Sequence, residues 1–267
     1  LNILINKFIY YYQTFVGLEK VLENIEDVDV IIVSSIHFGQ KDKQPYIHLN
    51  DNDPKDLMFE NLWMETKKAS VQGCKIMLMM GGAGYAYRTL FSDFDIYYPL
   101  LTQLLREKNW ISGIDLDIEE ETTLENVQML IRHLVNDFPE LTITMAPVSP
   151  SLEADGGSMA GFNYKTLYES PEGKHISWFN TQCYYSFSKN TYDKIINNGY
   201  PPEKIVMGME SGQFDKNTFQ TALQEVHNII TEYPTMAGVY DWEYLDAPPD
   251  EKDPSKWASL MKSCSTI

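Results

Sequence analysis

The chain has 267 residues, 43% of them hydrophobic, and its 38 acidic side chains against 21 basic ones give a formal net charge of −17. That length suits one (β/α)8 barrel, and the acidity argues against nucleic acid and anionic membranes as partners, since both need a basic surface. No apolar stretch is long enough to predict a membrane span, and three cysteines, Cys74, Cys183 and Cys264, do not make a disulfide framework.

Eight apolar runs read as strands in chain order: residues 7–13, 30–38, 75–80, 111–118, 141–148, 178–184, 204–209 and 236–242. Most are hydrophobic throughout, as expected of parallel strands buried on both faces. Amphipathic stretches separate them. Asp53 as N-cap and Pro54 as first helical residue predict a helix running to about Ser70. Thr122 and Glu125 have capping-box spacing, followed by Leu124, Val127, Ile131, Leu134 and Phe138 along one helical face. Residues 218–233 form another such segment. Alternating strands and helices over 267 residues predict a single α/β domain spanning the whole chain, a (β/α)8 barrel, with a doubly wound open sheet as the alternative. The chain starts at Leu1 and has no Asn-x-Ser/Thr sequon, so a secreted protein with its leader removed and a cytoplasmic one both stay open.

The fourth strand is the most informative. In Ile111-Ser112-Gly113-Ile114-Asp115-Leu116-Asp117-Ile118-Glu119, the isoleucines and leucine take one side and the three acids the other. Successive acids are spaced roughly 6.6 Å apart. A solvated edge strand would show the same alternation, but Asp is depleted in strands and the neighbouring runs are apolar on both faces. Stacked carboxyls in a partly buried site cannot all ionise easily, so at least one holds a proton, as general-acid catalysis requires. Glu119 ends the strand at the C-terminal mouth, where barrel enzymes carry their chemistry. Asp117 sits one step deeper, and Asp115 deeper still, where it can share a proton with Asp117.

Gly113-Ile114-Asp115-Leu116-Asp117-Ile118-Glu119 resembles the DxxDxDxE signature of glycoside hydrolase family 18, which includes chitinases and endo-β-N-acetylglucosaminidases. Met79-Met80-Gly81-Gly82 is similar to the family's SxGG motif on the third strand. Asn180-Thr181-Gln182-Cys183-Tyr184 is similar to its sixth-strand motif, and Val239-Tyr240-Asp241-Trp242-Glu243-Tyr244 to its last. Two positions depart from the pattern: Ser112 stands for the first Asp, and Met79 for the Ser of SxGG. The stretches 11–14, 47–51, 178–182 and 242–244 most resemble the compact fungal endo-β-N-acetylglucosaminidases, and residues 204–242 leave no room for the α+β subdomain of some chitinases.

The resemblance implies a retaining mechanism assisted by the substrate's own acetamido group, without a carboxylate nucleophile and without metal or other cofactor. It implies Glu119 as acid and then base, Asp117 holding the acetamido N–H, Asp115 behind it, and Tyr184 on the acetamido oxygen. Trp242, Gln182, Gly82 and Tyr11 are the expected substrate contacts, although Tyr10 and Tyr12 compete with Tyr11 for the inward side. The implied partner is a GlcNAc-containing glycan, either the N-glycan core or chitin. A non-catalytic chitin-binding lectin on the same barrel is the competing class, and such relatives usually lose the acid. The glycines at 81, 82 and 84 lack GxGxxG spacing and a Walker lysine, so no nucleotide site is expected. His37 has no ligand partner at zinc-site spacing.

Overall fold

The computed structural model describes residues 7–156 and 158–265. The strands are β1 (Lys7–Tyr12), β2 (Val30–Lys41), β3 (Gln44–Leu49), β4 (Lys75–Gly82), β5 (Ile111–Ile118), β6 (Thr142–Met145), β7 (Ile176–Gln182), β8 (Ile205–Glu210) and β9 (Gly238–Trp242). Eight of them pair in parallel in the order β1, β2, β4, β5, β6, β7, β8, β9, and β9 returns to β1 through Lys7–Gly238 and Ile9–Tyr240. The barrel is therefore closed, with helices between its strands and, among the described residues, no α+β insertion. β3 lies outside the ring, paired antiparallel to the end of β2.

Strand alternation divides the apolar residues between two clusters. Ile9, Tyr11, Ile32, Met77, Met79, Trp178, Val206 and Tyr240 fill the barrel interior. Phe8, Tyr10, Ile31, Leu78, Leu116, Phe179 and Met207 face the helices. Each aliphatic side chain so buried stabilises the fold by about 1.5–3 kcal/mol. Three lysines at the start of strands close the N-terminal end. Lys7 Nζ lies 4.8 Å above the Trp178 ring, Lys75 Nζ donates to Thr142 Oγ1 at 2.9 Å, and Lys204 Nζ to the Ile176 carbonyl at 2.7 Å. Burial lowers the pKa of all three.

Several boundaries differ from the sequence reading. The helix expected from Asp53 begins at Glu60 and runs to Val71, preceded by a 3-10 turn over Leu57–Phe59. Asp53 Oδ1 accepts the Lys55 N–H at 2.9 Å, so it closes a local turn rather than capping a helix. The Pro54 carbonyl takes the Trp63 indole N–H at 2.8 Å. In the helix Leu124–Asp137 the cap is Thr123, whose side chain accepts from the Asn126 N–H, and Thr122 lies one residue outside. The fifth predicted strand shrinks to Thr142–Met145, with a single bridge from Val148 to Gln182 beyond it. β3 was not anticipated: Pro45 and the half-buried, non-alternating pattern of Gln44–Leu49 conceal an outlying ribbon.

Candidate active site

The pairing of β4 with β5 brings the carboxylates to the C-terminal mouth of the barrel. Met79 pairs with Asp115 and Gly81 with Asp117, so the end of β4 runs beside the acids. Ser112 is the unpaired residue of a β5 bulge, since Ile76 pairs with Ile111 and Met77 with Gly113. Met79 is fully buried in the interior, with Ser34 Oγ 3.5 Å from its sulfur.

Asp115 is buried and takes three hydrogen bonds, from Tyr11 Oη (2.6 Å), Thr144 Oγ1 (2.6 Å) and Asn180 Nδ2 (3.0 Å). Burial raises its pKa, and these three donors, which favour the carboxylate, oppose the rise. Asp117 lies above it, with its pKa pushed well above the usual carboxylate range by burial, then by the charges of Glu119 and Asp115. Of these two inner acids Asp117 is the one driven further towards its neutral form, while Asp115 is committed to its three donors. Gln182 bridges the upper pair: its Nε2 lies 3.2 Å from Asp117 Oδ1, 3.1 Å from Glu119 Oε1 and 2.9 Å from the Ala146 carbonyl.

Asp117, Glu119, Gln182, Tyr184, Trp242 and Gly82 line one cavity of about 260 Å³, together with Gln13, Ser35 and Met79. Gly82 must be glycine there, because its φ is +78° and an added Cβ would come within 3.1 Å of Met79 Cε. Tyr184 Oη lies 3.2 Å from Tyr240 Oη. Burial, and more weakly the charges of Asp117, Asp241 and Glu119, raise the Tyr184 pKa well above normal, so it stays a phenol. Tyr240 fits because residue 208 is glycine: a Cβ there would overlap the Tyr240 ring at 1.9 Å.

Tyr11 points inward, as its bond to Asp115 shows, while Tyr10 and Tyr12 face the shell. Tyr11 does not line the cavity; it packs edge-on against Tyr240 and 5.3 Å from Trp242, beneath the site. Cys183 faces outward and is fully buried.

Several residues were not singled out in the sequence. Thr144 and Asn180 hold Asp115, and Asn180 Oδ1 also accepts the Trp178 indole N–H at 2.8 Å. Glu120, next to the expected acid, accepts the N–H groups of Tyr87 (2.7 Å) and Arg88 (3.2 Å) and so fixes the backbone after Glu119. Glu243 Oε2 accepts from the backbone N–H of Gln13 at 2.8 Å and tethers the loop after β1. A Glu beside a motif carries no sequence signal separating a tether from a solvated charge.

A larger groove of about 780 Å³ runs alongside, sharing Gln13, Ser35 and Ala83 with the cavity and walled by the β2–β3 ribbon. His37 and His48 stack there with centroids 5.7 Å apart, and Tyr46 stacks on His48 at 5.1 Å. His48 is the partner of His37 that sequence spacing did not show. Among the described residues, no group of three His, Cys, Asp or Glu side chains is arranged to hold a metal.

No protein-family model and no curated protein matches the chain. Solved structures do. A fungal endo-β-N-acetylglucosaminidase from glycosyl hydrolase family 18 is 29% identical over 97% of both chains, with a TM-score of 0.85. The chitinase ChiC from Aspergillus fumigatus is 30% identical over 98% of this chain and 100% of its own, with a TM-score of 0.83. A family 18 chitinase from Pseudoalteromonas aurantia shares the fold at 20% identity and a TM-score of 0.75. With a closed barrel, matches over nearly the full length and the strand motifs in register, the chain belongs to glycoside hydrolase family 18.

Proposed function

We propose that the chain, acting as one catalytic barrel, hydrolyses GlcNAcβ1-4GlcNAc bonds with retention, and that its substrate is the chitobiose core of N-glycans. The observation that carries this reading is the shared cavity of Asp117, Glu119, Gln182, Tyr184 and Trp242 at the C-terminal mouth. A sugar stacks on the Trp242 indole, which offers apolar area without charge. Tyr184 donates to the acetamido oxygen and aims it at the anomeric carbon. Asp117, neutral at rest, accepts the acetamido N–H on its carbonyl oxygen. As that oxygen bonds to the anomeric carbon, positive charge builds on the new ring, and Asp117 ionises beside it by passing its proton down to Asp115, which returns it when the ring opens. Glu119 protonates the departing glycosidic oxygen, then takes a proton from the water that opens the ring, regenerating the acid. The proton given in the first step returns in the second, and the anomeric configuration is inverted twice.

The N-glycan is favoured over chitin by the shape of the cleft. The connection from β8 to β9 contains one 3-10 turn and the helix Phe219–Glu232, with no inserted subdomain. A run of exposed tryptophans, which would grip a polymer, is missing from the described residues. Trp63, Trp178 and Trp257 are buried, Trp110 packs on Trp63, and Trp242 alone lines the cavity. The full-length similarity to a chitinase keeps chitin as the second reading.

Digestion of a high-mannose glycopeptide by wild type and Glu119→Gln tests the proposal. Wild type is expected to leave one GlcNAc on the peptide, while the isosteric variant folds, binds and does not cut. Turnover by Glu119→Gln near the wild-type rate would remove Glu119 from the acid role.

A further inference from the structure

We infer that Ser151 and Tyr164 hold one water molecule against the carboxyl of Glu119 and so act as positioning residues for the acid. This rests on the role proposed above for Glu119.

Behind Glu119 lies a chamber of about 10 Å³, bordered by Glu119, Gln182, Ser151, Ser158, Met159 and Tyr164. That is room for about one water. Ser151 and Tyr164 are 4% and 2% exposed, and neither hydroxyl has a hydrogen-bond partner among the described residues. Buried hydroxyls are rarely left so, and two unsatisfied donors at one chamber point to a shared polar occupant. Neither can easily turn elsewhere. The Tyr164 ring is wedged 4.9 Å from Phe162 and edge-on to Phe179, and Ser151 sits in the short helix Pro150–Glu153. Both belong to the β6–β7 connection, which is tied to the chain just after Glu119 by the Thr122 N–H donating to the Ala160 carbonyl at 2.9 Å.

Tyr164 Oη–H and Ser151 Oγ–H satisfy the two lone pairs of the water, which leaves both of its hydrogens to give. One goes to the Glu119 carboxylate, whose Oε1 is held from the other side by Gln182 Nε2 at 3.1 Å. Burial above all keeps Tyr164 protonated, hence a donor. A donor on the carboxylate favours its charged form. The water therefore stabilises Glu119 after it has given its proton, and fixes the face from which it next removes one.

The test is Tyr164→Phe, which deletes one oxygen, with Ser151→Ala as an independent deletion. Removing the water's support weakens the carboxylate, so the basic limb of the kcat/KM profile should move up by about half a pH unit or more. Turnover of a substrate with a sugar leaving group should fall about tenfold, a part of what a general acid contributes. Turnover of a 4-nitrophenyl glycoside, which needs little acid assistance, should fall less. A merely structural defect would lower both substrates equally and leave the profile in place, and that result would overturn the proposal. An inactive Glu119→Gln beside an unaltered Tyr164→Phe would overturn the water bridge alone, whereas an active Glu119→Gln would remove the acid and the bridge together. Independently of activity, a high-resolution crystal structure of the wild type should show water density within hydrogen-bond reach of both hydroxyls. An unfilled chamber, or one closed by a side chain, sinks the idea.

Discussion

Asp241 shows how one residue combines burial with a defined proton. It is fully buried, Oδ1 has no partner among the described residues, and Ser211 Oγ lies 2.7 Å from Oδ2 and 2.8 Å from the Glu243 carbonyl. Ser211 has a single hydrogen for two acceptors. A neutral Asp241 resolves the conflict, its own proton facing Ser211 while the Ser211 proton goes to Glu243. Burial first, then the charges of Glu243 and Asp246, raise its pKa well above the ordinary 3.8. A carboxyl whose folded pKa exceeds its unfolded one stabilises the fold fully below about pH 4 and loses that contribution as pH rises towards the folded value. Asp241→Asn, which can still donate to Ser211, lacks this slope. Its melting temperature should therefore fall less than that of wild type between pH 4 and pH 8, and parallel curves would show that Asp241 carries no buried proton. In the cavity the same logic applies to catalysis: Asp117→Asn keeps the shape but cannot ionise beside the developing positive charge. Its kcat should drop by about 10²-fold or more, and it should build up transfer product when fed a sugar oxazoline and an acceptor. Product profiles matching wild type would count against Asp117 in that role. Much of the site was legible because alternation places Asp115, Asp117 and Glu119 on one side of a strand whatever the tertiary context. The roles of Thr144 and Asn180 were not, because a hydroxyl or amide bonded to a carboxylate from another strand leaves no local trace, and neither was that of Glu120, whose partners are backbone N–H groups more than thirty residues earlier.

At the level of elements, the sequence located the eight barrel strands because each buries apolar side chains on both faces, and it misjudged the ends, where backbone hydrogen bonds decide. The helix Leu124–Asp137 is an example. Thr122 and Thr123 are both plausible caps by composition, and only Thr123 accepts an amide hydrogen, from Asn126 at 3.1 Å. Thr123→Ala should cost about 0.5–2 kcal/mol in urea unfolding, and Thr122→Ala a few tenths at most. The reverse order would place the cap where the sequence spacing had it. The β2–β3 ribbon escaped notice for a different reason. It lies outside the barrel ring and is only partly covered by the helix Phe94–Glu107, so most of its residues are half-buried and follow no clean period. Asn50 secures its base through its side chain, which accepts from the Ser35 N–H at 3.2 Å and donates to the Gln13 carbonyl at 3.1 Å. The histidine stack is thereby set against the rim of the cavity.

For the whole molecule, the contrast between a narrow cavity of about 260 Å³ and an adjoining open groove of about 780 Å³ bears on substrate choice. On the function proposed above, the groove is where the branches of an N-glycan would lie. The ratio of kcat/KM on a high-mannose glycopeptide to that on chitin oligomers should exceed one. A ratio well below one would assign the chain to chitin while leaving its catalytic residues as named. The hydrogen bonds on Asp115 have a consequence at this scale too. They come from β1, β6 and β7 onto a carboxyl of β5, so four of the eight staves meet at one carboxyl group. Slipping any of those strands by two residues, the smallest shift that keeps its side chains facing the same way, would carry a donor about 6.6 Å away and leave the acid unsupported. The floor of the site is therefore a proofreader of assembly: a barrel that has closed in the wrong register cannot also hold its acids in order, and the first substrate it fails to cut reports the error.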